Sequence, residues 1–522
     1  MLVSDIVRRN AAYFGDCQAV VVPGERTVSW HELDERSNAF ARAFLELGMK
    51  KGDRVATFMP NCLEFYEFFF ACAKTGVIGA PTNVRLSATE IAAYLSIVEP
   101  AAVLVHDRVA DAGRAFVDRV PSLRHVIGVG AGHGFQLDAG TLVASQPTTD
   151  PGCSVDELDV YQLAATSGTT GTPKAAIGTH RNAIAGMICW GSELGFGERE
   201  TNLQVIPMFF NPGGVSGLHY VFLKGGCSVL IDPFDPPVFL DAIERYRANH
   251  SIIVPTMVGM LLDHPSCGEH DYSSLRAIGS GGSPLPRSIL VRARKVFGDV
   301  MYGMYGMAES YSAGMVLRRE NQFTDGPPEV VARLSSAGKP MISMQVRVVD
   351  DDGLDVPHDN ATPGEIWMQG DSIVDGYWRM PEETRDAWHD GWLKSGDLAV
   401  VDAEGFVTIV DRKKDIIITG GINVFSREIE EALLAHPATA QAAAIGIPHP
   451  KWGESIHAVV TLKPGAAATS DELIAFTAER LAGFKKPRSL DIVDELPISG
   501  TGKILKKELR ARYAHDAAPV SK

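Results

Sequence analysis

The chain has 522 residues, 45% hydrophobic, 22% charged and 8% aromatic, with a formal net charge of −15. That composition excludes a disordered, collagen-like or coiled-coil chain, and the length exceeds what one hydrophobic core supports. The acidic balance argues against broad nucleic-acid binding. The seven cysteines include no CxxC pair, which argues against a disulfide framework or zinc site and for a reducing, cytoplasmic compartment.

The first residues, MLVSDIVRRNAAYFGD, lack the apolar core of a secretory signal. HELDERSNAFARAFLELGM then predicts an amphipathic helix and DRVATFM a strand. LEFYEFFFACAKTG predicts a second helix. Glu67 and Lys74 interrupt its apolar run, so it reads as a buried helix rather than a transmembrane segment, and VIGAP is expected to turn out of it. ATEIAAYLSIVEP and AAVLVHD repeat the helix–strand order. Such alternation predicts an α/β architecture with buried, largely parallel strands.

From Tyr161 to Asp411, apolar strands end in loops of small residues: ATSGTTGTPK, AIGSGGSPLP and MYGMYGMAES. Loops of this kind at strand ends are where α/β proteins place ligand sites. VVDAEGFVTIVDRKKDIIITGG reads as antiparallel strands joined by a turn, and FSREIEEALLAHP as a helix with acids in its first turn. AQAAAIGIPH and HAVVTLKP read as strands. SDELIAFTAERLAGF reads as a helix capped by Ser470, with Glu472 close behind. Charge is balanced from Asp415 onward, so the acidic excess lies before it. Two bodies are expected, 1–411 and 412–522, meeting in the charged stretch Asp411–Asp415.

Thr166–Lys174 reads TSGTTGTPK, with five hydroxyls, two glycines and a lysine in nine residues. Hydroxyls and unshielded backbone N–H groups cradle polyphosphate oxygens. The order of a Walker A loop is absent, and taken alone the segment reads sooner as an ordinary polar hairpin. A sequel of motifs follows in order over almost the whole chain: YGMAE at Tyr305–Glu309, GWLKSGD at Gly391–Asp397, DRKKD at Asp411–Asp415, GGIN at Gly420–Asn423 and PISGTGKILK around Lys503. With these the chain resembles the acyl-adenylating superfamily of acyl-CoA synthetases, peptide-synthetase adenylation domains and luciferases, and among them the AMP-forming acyl-CoA synthetases.

The resemblance implies a large multi-sheet N-terminal domain and a small mobile α+β C-terminal domain, hinged near Lys414. It implies ATP, Mg²⁺ and coenzyme A as ligands and a small carboxylic acid as substrate. Thr166, Ser167, Gly168, Thr169, Thr170, Gly171 and Lys174 would hold the phosphates, joined by Gly281, Gly282 and Ser283 of the second loop. Tyr305, Gly306, Met307 and Ala308 would meet the nucleotide, with Ala308 lacking the usual hydroxyl. Glu309, with Thr166, would hold Mg²⁺ through hard oxygens. Asp397 would accept both ribose hydroxyls, Arg412 would reach the ribose, and Lys503 would neutralise the reacting oxygens. Gly420, Gly421, Trp452 and Lys485 would receive CoA, the last within the cationic FKKPR patch that also holds Lys486 and Arg488. Ser426 stands where the family usually has proline, a departure expected to be harmless. Against these roles stand plainer ones: Lys503 as a surface lysine, Trp452 as a core anchor, FKKPR as a solvated charge run.

IPMFFNPGG bears on the acid. Phe209, Phe210, Gly213 and Gly214 suggest a roomy apolar pocket, and no Asp or Glu lies between Ile206 and Tyr220. An α-ammonium would be costly there, so a fatty, aromatic or alicyclic acid is expected. Two other readings stay open: loading of a carrier-protein phosphopantetheine, and a catalytically silent nucleotide-binding regulator. Pro497, Gly502 and Lys503 also fit a P-x4-G-K spacing, resembling the site at which bacterial acyl-CoA synthetases are acylated. That resemblance implies a lysine acetyltransferase and a deacetylase as partners.

Overall fold

A computed structural model describes residues 1–166, 173–210, 214, 220–283, 285–498 and 504–513. The fold is α/β, with a large N-terminal domain and a smaller C-terminal one. By contacts the chain divides into Met1–Val346 with Met368–Lys394, and Arg347–Trp367 with Ser395–Lys522. The smaller unit thus takes in residues on both sides of Asp411.

Among the described residues of the larger unit, one sheet has nine strands and another seven. In the first, Met301–Tyr305, Ala277–Gly281, His250–Ile253, Thr201–Gln204, Cys227–Leu230 and Gln18–Val22 run parallel. In the second, Val160–Thr166 is flanked by Ile78–Pro81 in parallel and Lys174–Thr179 in antiparallel pairing. Central strands such as Ala102–His106 are buried on both faces, the state that reads in sequence as a continuous apolar run.

VIGAP does more than turn. Ile78–Pro81 is a strand paired in register with Arg54–Thr57. The helix Leu63–Thr75 is ended one residue past its last turn by Gly76, whose φ of 72° and bond to the Cys72 carbonyl complete the reversal. That helix is buried almost all round. Its two buried charges are each met by the helix Trp30–Glu46: Glu67 by Arg36, and Lys74 by Asp34 Oδ1 at 2.6 Å, Ser37 Oγ at 2.8 Å and Asn38 Oδ1 at 2.6 Å. Burial pulls the Lys74 ammonium down to about 8, with Asp34 opposing the shift. A buried cation persists only with such partners.

In the smaller unit, residues 397–401 pair antiparallel with Val407–Arg412, and Asp402 Oδ1 accepts from the N–H groups of Glu404 and Phe406 to close the turn. A second sheet contains Ile417–Thr419, Ile422–Val424, Gly453–Leu462, Thr439–His449 and Ser489–Ile492. The period of two in AQAAAIGI sorts its residues: Ala442 and Ala444 face Ile429, Leu433 and Leu473 of two helices, while Ala443 and Ile445 face Leu509 and Tyr513. The helix after Pro464 is capped by Thr469 rather than Ser470. Thr469 and Glu472 exchange bonds of 2.8 and 3.2 Å in a capping box. Among the described residues no helix is long and apolar enough to cross a membrane.

Thr179 caps the helix His180–Glu193. His180 is buried, its Nδ1 accepts from the Val3 N–H at 3.2 Å, and its Nε2 faces no hydrogen-bond partner among the described residues. Burial lowers its pKa to about 4 from the ordinary 6.5, against the pull of Asp159 and Asp5. Between these values the unfolded chain binds a proton that the folded chain refuses, so the contribution to stability is full above about pH 6.5 and lost as pH falls toward 4. Its size is up to about 3 kcal/mol at 1.36 kcal/mol per unit. His180→Asn keeps an acceptor for Val3 and removes the titration. Its unfolding midpoint is expected to fall less than that of the parent between pH 6.5 and 4, and parallel curves would show that His180 does not set the acid limit.

Candidate active site

The larger unit builds its polar cluster from strand ends. Thr166 and Lys174 face each other across the antiparallel pair, and the intervening Ser167, Gly168, Thr169, Thr170 and Gly171 lie outside the described residues. The segment 374–378 adds itself beside this pair. The Ile177 N–H donates to the Gly376 carbonyl at 2.9 Å, and the Trp378 N–H to the Ala175 carbonyl at 2.8 Å. Tyr377 is thereby set under Lys174, whose ammonium lies 4.5 Å from the ring centroid, a cation–π contact. The Tyr377 hydroxyl donates to Glu309 Oε1 at 2.8 Å. Burial and the neighbouring Glu309 carboxylate both hold the phenol in its neutral, donating form.

Glu309 reaches that position through a tight turn. The strand Met301–Tyr305 ends at Gly306, where an added Cβ would collide with the Ser312 backbone. Met307 then precedes the single 3-10 turn Ala308–Ser310. The Glu309 carbonyl accepts from the Val374 N–H at 2.9 Å and its side chain is buried. One strand over, Gly281 ends Ala277–Gly281 in register with Met304, with the Met304 carbonyl 2.9 Å from where a Cβ would lie. Gly282 takes φ +84°, and Ser283 is exposed beside it. Tyr305 and Gly281 thus stand at the C-terminal ends of neighbouring parallel strands, the usual ligand edge of such sheets.

Phe209 is buried and makes an edge contact with Phe210 at 4.6 Å. Asn61 holds the backbone here, its Oδ1 accepting from the Met208 N–H at 2.7 Å and its Nδ2 donating to the Ile206 carbonyl at 3.1 Å. Gly214 has no room for a side chain, since a Cβ would lie 2.6 Å from the Met208 carbonyl. Gly213 lies outside the described residues.

In the smaller unit Asp397 and Arg412 are opposite each other on paired strands, and Arg412 Nε lies 3.0 Å from Asp397 Oδ1. Gly396 and Lys413 both bond Glu365, through its Oε1 at 3.1 Å and its Oε2 at 3.3 Å. Lys413–Asp415 is a single 3-10 turn, with Lys414 exposed at its centre. Gly420 and Gly421, at φ 60° and 79°, form the tip of the hairpin Ile417–Val424. The Gly420 N–H donates to the Trp452 carbonyl at 2.8 Å. Trp452 is stacked on His449 with centroids 4.3 Å apart, and the Arg488 guanidinium lies 4.9 Å from its ring. Lys485 instead pairs with Glu428 at 2.7 Å. Lys503 lies outside the described residues.

Tyr377, Glu365 and the pairing of Arg488 with Trp452 were not anticipated as parts of the site. The one signal for Tyr377 was an aromatic next to Gly376 in a segment otherwise without assignment, and Glu365 carried none.

The family profile described as "AMP-binding enzyme" matches residues 7–378, and that of the "AMP-binding enzyme C-terminal domain" residues 428–503. The chain is 35% identical to a feruloyl-CoA synthase of Amycolatopsis sp, covering 94% of this chain and 95% of the relative. It is 31% identical to a long-chain-fatty-acid–CoA ligase of Escherichia coli O6:H1, covering 97% and 93%. Among solved structures, ATP-bound MatB from Rhodopseudomonas palustris superposes with a TM-score of 0.87 at 26% identity, covering 98% of this chain and 99% of that one. By its strand-end cluster, its two matching profiles and relatives that span nearly its whole length, the chain belongs to the AMP-binding enzyme family and is an AMP-forming acyl-CoA synthetase.

Proposed function

We propose that this ligase activates an apolar carboxylic acid (fatty, aromatic or alicyclic) in the cytoplasm, with the roles that follow. The observation that carries the reading is the Lys174–Tyr377–Glu309 assembly: a cation and a buried carboxylate fixed through one ring at the ligand edge of the sheets. Thr166–Lys174 and the Gly281–Ser283 loop receive the phosphates, and Tyr305 to Ala308 the adenine side. Glu309 and Thr166 offer hard oxygens, a donor set that fits a Mg²⁺ ion arriving on ATP, since that ion is usually held by one or two carboxylates plus phosphate. When bound, the ion neutralises charge on the phosphates. Asp397, oriented by Arg412, accepts from the ribose hydroxyls.

In the first half-reaction a carboxylate oxygen of the substrate attacks the α-phosphorus, the bond to the β-phosphate oxygen breaks, and pyrophosphate leaves. Lys503 stabilises the charge gathering on the reacting oxygens. In the second, the CoA thiol gives up its proton, its sulfur attacks the acyl carbonyl, and AMP leaves. The domains 1–411 and 412–522 exchange these tasks by rotation at Lys414, whose exposed single-turn setting suits a hinge. Gly420, Gly421 and Trp452 border the pantetheine path, with Arg488 beside Trp452 and Lys485 as cations for CoA phosphates. Free CoA is favoured over a carrier-bound thiol by Arg488 on Trp452, a guanidinium suited to phosphate. A silent regulator is disfavoured by the retained Lys174, Glu309, Asp397, Arg412 and Lys503.

Half-reactions measured separately test these roles. Lys503→Ala is expected to slow acyl-adenylate formation by about 10²–10³, the cost of one transition-state contact, while sparing thioester formation from supplied acyl-AMP. Lys414→Pro, which fixes φ near about −65°, is expected to keep adenylation and lose transfer. Equal damage to both steps in either variant would sink the corresponding role. Acetylation of Lys503 by an acetyltransferase, reversed by a deacetylase, is proposed as control, because it removes that charge. Full adenylation by protein shown by mass spectrometry to carry the modification would refute it.

Tyr377→Phe removes the donor to Glu309. A hydrogen bond to a charged group contributes about 1.5–3 kcal/mol, so kcat/KM for ATP in pyrophosphate release is expected to fall by about 10- to 150-fold. An unchanged value would show that Glu309 is oriented without Tyr377.

A further inference from the structure

The segment 374–378 lies beside the last strand of the seven-stranded sheet, and one side chain closes its outward side. In its pairing with Lys174–Thr179, the Gly376 carbonyl and the Trp378 N–H face the strand. Backbone groups alternate along an extended segment, so the Tyr377 N–H points the other way. There it donates to Thr384 Oγ1 at 3.0 Å. Thr384 is the fourth residue of the helix Pro381–Ala387, which opens on a proline. Its N–H and its hydroxyl both donate to the Met380 carbonyl, at 3.0 and 2.7 Å, the back-bond that a threonine inside a helix can make. One hydroxyl thus serves as donor to Met380 and acceptor from Tyr377, within its ordinary capacity.

Thr384 also meets the residue before Tyr377. Gly376 is buried, and a Cβ there would lie 2.6 Å from Thr384 Cγ2, so the threonine methyl fills the space that a side chain at 376 would need. The Trp388 N–H ends the helix by donating to the Thr384 carbonyl. The Trp388 ring then stands edge-on to the Tyr377 ring, with centroids 5.4 Å apart. The helix Pro381–Ala387 therefore touches Tyr377 twice, at its backbone through Thr384 and at its ring through the residue that follows the helix. Beyond that ring stand the Lys174 ammonium, 4.5 Å from its centroid, and Glu309 Oε1, 2.8 Å from its hydroxyl. The cation and the carboxylate owe their spacing to one ring, and the ring's backbone is held from outside by Thr384.

We infer that Thr384 is a positioning residue for adenylation: through the Tyr377 N–H it sets where the phenol meets Glu309 and where the ring meets Lys174. The inference rests on the reading of Lys174 and Glu309 as groups that meet ATP and its Mg²⁺. Thr384, Tyr377, Trp388, Lys174 and Glu309 all belong to the larger unit, so no contact in this chain depends on how the smaller unit turns. Without the threonine hydroxyl the Tyr377 N–H loses its acceptor, and the segment relieves that loss by moving toward water. A shift of about 1 Å in a group that meets the substrate costs up to about 10²-fold in rate.

The test compares Thr384→Val, Thr384→Ser, Tyr377→Phe and the double variant Thr384→Val with Tyr377→Phe in the full-length enzyme. Thr384→Val keeps the branched shape and loses only the hydroxyl. Pyrophosphate release at varied ATP reads adenylation as kcat/KM, and thioester formation from supplied acyl-AMP and CoA reads transfer. Thr384→Val is expected to lower kcat/KM for ATP about tenfold and to leave transfer within about twofold. Thr384→Ser, which keeps the hydroxyl, is expected to stay near the parent. Because Thr384 acts through Tyr377, the double variant is expected within about twofold of Tyr377→Phe, well short of the product of the two losses. Losses that multiply would mean that Thr384 acts elsewhere, and transfer falling together with adenylation would mean that it only holds the fold; either result overturns the proposal. So would parent-like adenylation in Thr384→Val alongside impaired Tyr377→Phe, in which case the reading of Tyr377 and Glu309 stands and the positioning role alone falls. Parent-like adenylation in Tyr377→Phe would remove that reading and the proposal with it.

Discussion

A carboxylate buried at the end of a parallel strand organises the larger unit. Glu309 keeps its side chain out of bulk water, which is costly for an ion unless donors replace the lost hydration. Tyr377 is one such donor, and Tyr377 is available only because the segment 374–378 lies against the strand Lys174–Thr179. That same lamination puts the ring beneath the Lys174 ammonium. The turn that delivers Glu309 requires a residue without a Cβ at 306, because the Ser312 backbone occupies that space. One buried charge therefore dictates a glycine and an added strand-like segment 68 residues away, together with the position of Lys174.

The smaller unit obeys a similar rule with a different outcome. Its charges come as a connected series: Asp397 with Arg412, Asp411 with Ser426, Ser426 with Lys506, Lys506 with Glu430. Burial pushes the Glu430 carboxyl upward, while the Lys506 ammonium beside it pulls the other way. Each group is bonded to the next, and removing one member leaves its buried neighbours a bond short, which costs more than the lost bond itself.

Much of the scaffold was legible because its signals are local. Val55, Ala56, Val103, Leu104 and Val105 are buried and belong to parallel strands, and a strand covered on both faces has only apolar residues to show. The helix Leu63–Thr75 declared itself by length despite two buried charges. Local signals failed where two neighbours could play one part. Thr469 and Ser470 are both good caps, and only the extended backbone at Thr469, φ −98° and ψ 159°, decides between them. VIGAP followed a helix, and nothing in it revealed that Gly76 alone completes the turn. Tyr377, Glu365 and Lys506 were illegible for a deeper reason: each acts on a partner 31 to 80 residues distant, and single-residue propensities carry no record of such pairing. Ser426 looked like a neutral departure because its partners, Asp411 and Lys506, are not its neighbours in sequence.

In the proposed reading, the segment Ile206–Phe210 draws specificity from what is withheld. Between Ile206 and Phe210 the backbone is fixed by Asn61, a neutral amide that spends its donor and acceptor on main-chain groups. Met208 and Phe209 are then buried as plain apolar surface, and Gly214 leaves the Met208 and Phe210 carbonyls no side chain to displace. The stretch Ile206–Phe210 is thus held at its backbone by a neutral side chain and carries no charge of its own. In the proposed reading, an acid bearing an ammonium group would surrender its hydration there and gain nothing in return, a penalty of several kcal/mol by the measure of unpaired buried charge. A hydrocarbon or aromatic acid meets no such penalty, and each methylene it buries contributes about 0.8 kcal/mol. Discrimination of this kind needs no clash and no contact made specifically to the favoured acid. It needs only that a stable wall contain no ion, and Asn61 is what makes an uncharged wall stable.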